Sequence, residues 1–272
     1  MEQTSTDDYH YIRQKSLEGG GIRKKESIRK SGRGTARERI DMLLDESSFI
    51  EVDAFVTHRT DDHGMFMHET LGDGVVTGYG SINGRRVYCF AQDFSVHGGS
   101  MGEMHALKIA KVVEMAERAK VPIIGIWDGG GQRAHDGVAS LGGTGVLLDR
   151  LVQCSGRIPM LALVLGPVVG VSALGASLAD YTILGEKNGQ LFLSSPLETP
   201  EVMSGDLTPG DLGGANLHAS RSGIASLIAE DELDACELAA EILSFLPDHQ
   251  MANPPQTPCD DDVNRLNEDL ES

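Results

Sequence analysis

Three clusters of glycine interrupt otherwise apolar runs, and each has the make-up of a backbone anion site. The first is Phe94-Ser95-Val96-His97-Gly98-Gly99-Ser100-Met101-Gly102-Glu103, the second Asp128-Gly129-Gly130-Gly131-Gln132-Arg133, and the third Gly166-Pro167-Val168-Val169-Gly170. Glycine lets the main chain approach a ligand with no Cβ in the way, and a helix opening after such a turn offers N–H groups with no partner of their own. Consecutive glycines after a strand can aim two N–H groups at one point, the arrangement that stabilises the oxygen of an enolate or a tetrahedral intermediate. Residues 129–131 equally suit a tight strand-to-helix turn without chemistry, and spacing alone leaves both readings open. No clear GxGxxG fingerprint with a following acid is present, and no GK[ST], so neither a dinucleotide fold nor a phosphate loop is expected.

Side chains near these loops offer less. His97, His105 and His135 are candidate general bases, although a single histidine beside a loop more often serves as a hydrogen-bonded structural group. His63, His68 and Glu69 sit in an Asp-rich stretch and do not make a metal site, so no metal is expected. GxSxG is absent, and Ser172 in GVSALG reads as a core helix residue rather than a nucleophile. Cys89, Cys154, Cys236 and Cys259 are far apart, with no CxxC spacing for zinc and no disulfide framework.

The elements that must hold the loops follow from periodicity. Thr35 can cap a helix through Leu44 that places Ile40, Leu43 and Leu44 on one face and Arg37 and Arg39 toward solvent. Strands are expected at residues 49–56, 74–82 and 86–92, the last two joined by the hairpin signal Asn83-Gly84. Then come a helix at 101–119, a buried strand at 121–127 and a helix at 142–155. Residues 158–184 are almost wholly apolar, but Pro159, Gly166, Pro167, Gly170 and Gly175 divide them into a strand at 160–165, a Gly-Pro turn and a helix at 169–178, not a membrane span. Short strands at 182–184 and 190–194 and an amphipathic helix at 231–245 complete an α/β pattern. A basic helical arm at 1–34, a main domain at 35–247 and an acidic, Pro-containing tail at 248–272 are the expected divisions.

The chain has 272 residues, 40% hydrophobic, enough for a real core. A net charge of −18 argues against nucleic acid as a partner. Yet residues 22–40 hold eight basic side chains (Arg23, Lys24, Lys25, Arg29, Lys30, Arg33, Arg37, Arg39) against two acids, so a local anion site survives. The first eleven residues lack a signal-peptide layout, and a reducing, cytoplasmic location is the default expectation.

Four runs together resemble one family. GRGTARERIDMLLDESSFIEVD (32–53), DGVVTGYGSINGRRVYCFAQDFSVHGGSMGEMHALKI (73–109), DGGGQRAHDGVASLGGTG (128–145) and DLGGANLHASRSGIA (211–225) are similar to the carboxyltransferase β subunits of biotin-dependent enzymes. That resemblance implies a crotonase-like ββα spiral and, for a chain of this length, the N-terminal half alone. Most similar is the split β subunit of a biotin-dependent malonate decarboxylase, with a second subunit supplying the other half. It implies carboxyl transfer from a malonyl thioester, on acyl carrier protein, to biotin on a separate carrier protein. The alternatives are half of a propionyl- or methylmalonyl-CoA carboxyltransferase and a non-catalytic scaffold. No cofactor would be bound by this chain, and a phosphopantetheine thioester would be the substrate.

By motif position the oxyanion pair of the family falls on Gly130 and Gly131. Gly98 and Gly99 in the first loop and Gly170 and Val171 in the third would line the thioester. Arg37 and Arg39 would meet the phosphates, unless they pair with the protein's own acids. Departures from the family are the Gln132-Arg133-Ala134-His135-Asp136-Gly137 segment, usually Ala-Arg-Ile-Gln-Glu-Gly, and Gly170-Val171 in place of Gly-Gly.

Overall fold

The computed structural model describes residues 2–196, 207–256, 260–262 and 264–266. The basic segment folds as α1 (Glu2–Ser16) and α2 (Ile22–Lys30), followed by α3 (Ala36–Leu43), where Thr35 and Glu38 form a reciprocal capping box. β1 (Ile50–Val52) is shorter than its pattern predicts, because Asp53 turns to a left-handed φ of 58° and ends the strand. β2 (Val75–Ile82) and β3 (Arg85–Gln92) form the expected hairpin: Asn83 and Gly84 take φ of 52° and 77°, and Asp45 accepts both their N–H groups at 2.8 and 2.9 Å.

Helices and parallel strands then alternate: α4 (Glu103–Ala119), β4 (Ile123–Gly129), α5 (Val138–Cys154), β5 (Met160–Val169), α6 (Val171–Ser177), β6 (Tyr181–Gly185) and β7 (Gln190–Phe192). Two short helices, α7 (Pro209–Gly213) and α8 (Ala215–Leu217), precede β8 (Leu227–Ala229) and α9 (Glu232–Phe245). Among the described residues there is one mixed sheet in the order β1-β2-β3-β4-β5-β6-β8, with β7 beside the far end of β5. From β3 onward its pairs are parallel.

Both faces of the sheet are covered, and the strands read as nearly continuous apolar runs. Tyr88, Phe90, Trp127, Met160, Ala162 and Val164 pack with α4, α5 and α6. Val87, Cys89, Ile124, Ile126, Leu161, Leu163 and Leu165 pack with α3 and α9. Each fully buried Leu, Ile or Val contributes about 1.5–3 kcal/mol, so this alternation fixes the register of the strands that carry the loops.

Two boundaries differ from expectation. The turn expected at Gly166-Pro167 is strand: β5 continues to Val169 because its end gains β7 as a neighbour, Pro167 pairing with Gln190. The helix expected from residue 142 starts a turn earlier, at Val138. Gly143 there allows α5 to cross α4 closely, since a Cβ would lie 2.7 Å from the Glu103 carbonyl oxygen. Cys259 and part of the 248–272 tail (257–259, 263 and 267–272) lie outside the described residues. The start of that tail is tied to the main domain, where Asp248 meets Arg85 and the Gln250 N–H reaches the Arg157 carbonyl. No helix of the described residues is long and apolar enough to cross a membrane.

Candidate active site

The first two glycine loops, and Gly170 of the third, leave the C-terminal ends of the neighbouring parallel strands β3, β4 and β5, which is where their adjacency comes from. The first two are laced together by the backbone. Gly130 N–H donates to Gly98 O at 3.0 Å, Met101 N–H to Gly131 O at 2.7 Å, and Arg133 N–H to Met101 O at 3.0 Å. The third joins them at Gly131, whose φ of 89° suits glycine and whose absent Cβ would lie 3.4 Å from Val169 O. Gly170 N–H is taken by Phe192 O at 2.8 Å. Val171 opens α6, where a first-turn N–H has no intrahelical acceptor.

The expected oxyanion pair is therefore divided by the hydrogen bonds. The Gly130 N–H is committed to Gly98, whereas the Gly131 N–H meets no acceptor among the described residues. Gly98 and Gly99 occupy a turn at the loop junction, and Gly99 N–H is spent on Val96 O at 2.9 Å.

Arg39 is a correction. Expected toward solvent, it is 1% exposed, because Ala36, Arg39, Ile40 and Leu43 fall on one helical stripe and that stripe is the buried face of α3. Its guanidinium donates to Asp128 Oδ2 at 2.8 Å, to Glu232 Oε1 at 2.6 Å and to the Leu165 carbonyl at 3.0 Å. Arg37, likewise expected in solvent, is half-buried, with Nη2 and Nη1 at 2.8 and 3.0 Å from the Glu51 carboxylate, which also takes Arg13. Both arginines are thus paired with the protein's own acids.

Arg33, which sequence reasoning counted only as part of the basic run, completes the buried network by donating to Asp128 Oδ1 at 3.0 Å while its guanidinium lies 4.4 Å from the centre of the Phe94 ring. Asp128 occupies a break in register between Trp127 and Gly129, where β5 inserts extra residues before Gly129 pairs with Val168 at the end of β4. Burial pushes its carboxyl up, against the pull of Arg39 and Arg33. The local signal was a carboxylate closing an apolar strand, which demands a buried cation somewhere in the chain. A second network lies on the other side of the loop. Arg133, fully buried, meets the Asp73 carboxylate and the Ser100 carbonyl, and Asp136 accepts the Glu103 N–H at 2.9 Å.

The histidines separate. His105 is buried between Gln92 and the Asp73 carbonyl, at 3.2 and 3.1 Å, and burial holds its pKa well below the usual value, so it is a neutral structural group. His97 lies at the first loop with its pKa pushed down to about 4, by burial first and then by Arg133 and Lys24. His135 is exposed, its ring 6.0 Å from that of His63. His68 and Glu69 are exposed, and no group of three metal-ligating side chains gathers among the described residues. Ser172 is buried in α6.

A cleft of about 300 Å³ runs under the basic arm to the first loop, lined by Lys24, Ser27, Ser31, Arg33, Phe94 and Gly98 among others. A larger cavity, about 700 Å³, lies between α1 and α3; it includes no residue of the glycine loops, and its Arg13 and Arg37 are already held by Glu51. The first cavity carries Lys24 and Arg33 and reaches Gly98, whose carbonyl holds the Gly130 N–H, whereas the second has no such link to the glycine loops.

Residues 27–272 match the carboxyl transferase domain family. The methylmalonyl-CoA decarboxylase α subunit of Veillonella parvula is 42% identical over 93% of this chain and 50% of its own length. The transcarboxylase 12S structure, holding methylmalonyl-coenzyme A and methylmalonic acid, superposes with a TM-score of 0.92 at 36% identity, over 97% of this chain and 51% of that one. A Pseudomonas malonate decarboxylase hetero-tetramer shares the fold at 24% identity and a TM-score of 0.68, over 76% of this chain and 81% of that one. The fold is the crotonase-like α/β arrangement with a mixed sheet, and the chain spans about half the length of the curated relative it matches.

Proposed function

Since this chain belongs to the carboxyl transferase domain family, we propose that it is the thioester-binding half of a biotin-dependent acyl-CoA carboxyltransferase. The observation that carries the reading is the Gly131 N–H, which meets no acceptor among the described residues, on a loop bonded through Gly130 to Gly98 of the basic cleft and packed against Val169. The carboxyl-bearing carbon of the thioester loses its C–C bond to the carboxyl group, and the electron pair stays behind as an enolate. The carboxyl carbon joins a nitrogen of biotin, and the proton displaced from that nitrogen ends on the enolate carbon. Charge grows on the thioester oxygen, where one fixed N–H donor is worth about 3 kcal/mol. Gly130, whose N–H holds the first loop, supports this site; Gly131 and Val171 donate.

Substrate placement follows the cleft. Lys24 and Arg33 sit where the phosphates of a CoA tail would lie, and Arg37 and Arg39 act behind them as structural ion pairs. A methylmalonyl-CoA-type thioester is favoured by the relatives at 42% and 36% identity. The second reading, a malonyl group on a carrier protein, has the malonate decarboxylase likeness behind it, where a chain of similar length is one component of a hetero-tetramer. A second carboxyltransferase half, supplying the biotin side, would dock on the exposed apolar face of α5 formed by Val138, Leu141 and Val146. The three described cysteines are free and buried, which suits a cytoplasmic setting.

The test reconstitutes the chain with a second half and a biotin carrier, then follows carboxyl transfer from methylmalonyl-CoA or from a malonyl carrier protein. Transfer from the CoA thioester, blocked by avidin, is expected. Transfer from the carrier protein alone would make the second reading correct, and turnover untouched by avidin would remove biotin from the reaction.

A further inference from the structure

Two direct contacts, one through Gly98 and one through Arg33, join the cleft under the basic arm to the loop that holds Gly131. Gly98 lines the cleft, and its carbonyl accepts the Gly130 N–H at 3.0 Å. Arg33 also lines it, stacked on Phe94 and bonded to Asp128 at 3.0 and 3.3 Å, across 95 residues of sequence. Asp128 lies at the register break and immediately precedes Gly129, the last residue of β4, so its position bears directly on the start of the loop.

Burial of Asp128 does not by itself call for Arg33. Arg39, 1% exposed, already neutralises the carboxylate from the other side. Arg33 differs from Arg39 in keeping 12% of its side chain exposed and in sitting between Gly32 and Gly34, on the connection from α2 to α3. It therefore joins the arm directly to the strand end that starts the loop.

We propose that Arg33 is a positioning residue that couples occupancy of the cleft to the geometry of the Gly129–Gln132 loop. Anionic groups in the cleft hold α2 and Arg33 in place, Arg33 holds Asp128, and the Gly131 N–H is thereby fixed for the thioester oxygen. Binding energy from the remote end of the substrate is spent on orienting the reacting end. This inference rests on the reading that the phosphate-bearing end of a CoA thioester occupies the cleft.

The experiment uses adenosine 3′,5′-bisphosphate, the nucleotide end of CoA, which has no pantetheine or acyl group. Backbone amide exchange in the full chain is measured with and without it, at concentrations that saturate each variant, so that a change in affinity does not enter. In the wild type, exchange at residues 129–132 is expected to slow about tenfold on binding. In Arg33→Met it slows by less than about twofold, and in Arg33→Lys, which keeps a cation beside Asp128, at least about half of the protection returns. Binding to the wild type without protection of the loop, or equal protection in Arg33→Met, overturns the coupling and leaves the cleft assignment intact. Absence of binding to the wild type overturns the cleft assignment itself, and the coupling with it.

Discussion

Arg39 and Asp128, 89 residues apart in sequence, meet at 2.8 Å with side chains that are 1% and 0% exposed. The pair fastens the helix after the basic arm to the strand end from which the Gly129–Gly131 loop departs. It makes one ionic contact answerable for both the fold and the site.

Removing Arg39 leaves Asp128 with Arg33 alone and strips Glu232 and the buried Leu165 carbonyl of their donor, and losing a buried, multiply bonded cation costs about 3–5 kcal/mol. Arg39→Met should lower the stability of the chain by that amount in urea denaturation. Arg37→Met should cost about 1 kcal/mol, because its pair is partly solvated and Arg13 remains against Glu51. Similar losses for the two variants would show that burial of Arg39 is not decisive.

Gly131→Ala places a side chain at φ 89°, with a strain of about 1–2 kcal/mol, and shifts the N–H aimed at the substrate. If that N–H stabilises an oxyanion, kcat falls about 100-fold or more in the assembled enzyme while the chain remains folded. Gly142 provides the contrast. It is exposed in α5 with nothing within 4 Å of its Cβ position, so Gly142→Ala should raise stability by about 0.5–1 kcal/mol. Unaltered turnover in a folded, assembled Gly131→Ala enzyme would take Gly131 out of the mechanism.

The pH dependence of stability tests the loop histidine. His97 has a folded pKa of about 4 against an ordinary 6.5, so the unfolded chain takes up its proton first as pH falls. The stabilisation from keeping His97 neutral is complete above about pH 6.5 and is lost progressively down to about pH 4. Buried His105 adds to the loss in the same direction. His97→Asn, with a side chain that tolerates the left-handed φ of 49°, should flatten but not abolish the slope between pH 7 and 4.5. Identical slopes for variant and wild type would mean that His97 titrates alike in both states.

Leu141 is 55% exposed, between Val138 and Val146 on α5. Leu141→Glu should leave the stability of the isolated chain within about 0.5 kcal/mol, since the site is already in water. Affinity for the second carboxyltransferase half should drop at least about tenfold, read by copurification and titration. An undiminished affinity would move the docking surface elsewhere.

The sheet and the order of its helices were legible because their signals are local. Asn83-Gly84 dictates a hairpin through its own backbone preferences, and the apolar runs of β4 and β5 announce strands buried on both sides. β1 and the Gly166-Pro167 stretch depart from their local pattern. Asp53 stops one strand by turning left-handed, and β7 extends the other by pairing with Pro167.

What the sequence by itself determined was the chemistry available: three glycine loops after strands, a basic arm on an acidic chain, no nucleophile elbow, and four motifs of one family. Only the tertiary structure decided which of those groups are free to act. Hydrogen bonds spend the Gly130 N–H on Gly98 and, among the described residues, leave that of Gly131 without an acceptor, and burial makes Arg39 a structural ion. Those outcomes depend on partners 32 and 89 residues away, brought close by strand register and helix packing, and no local preference encodes such a distance.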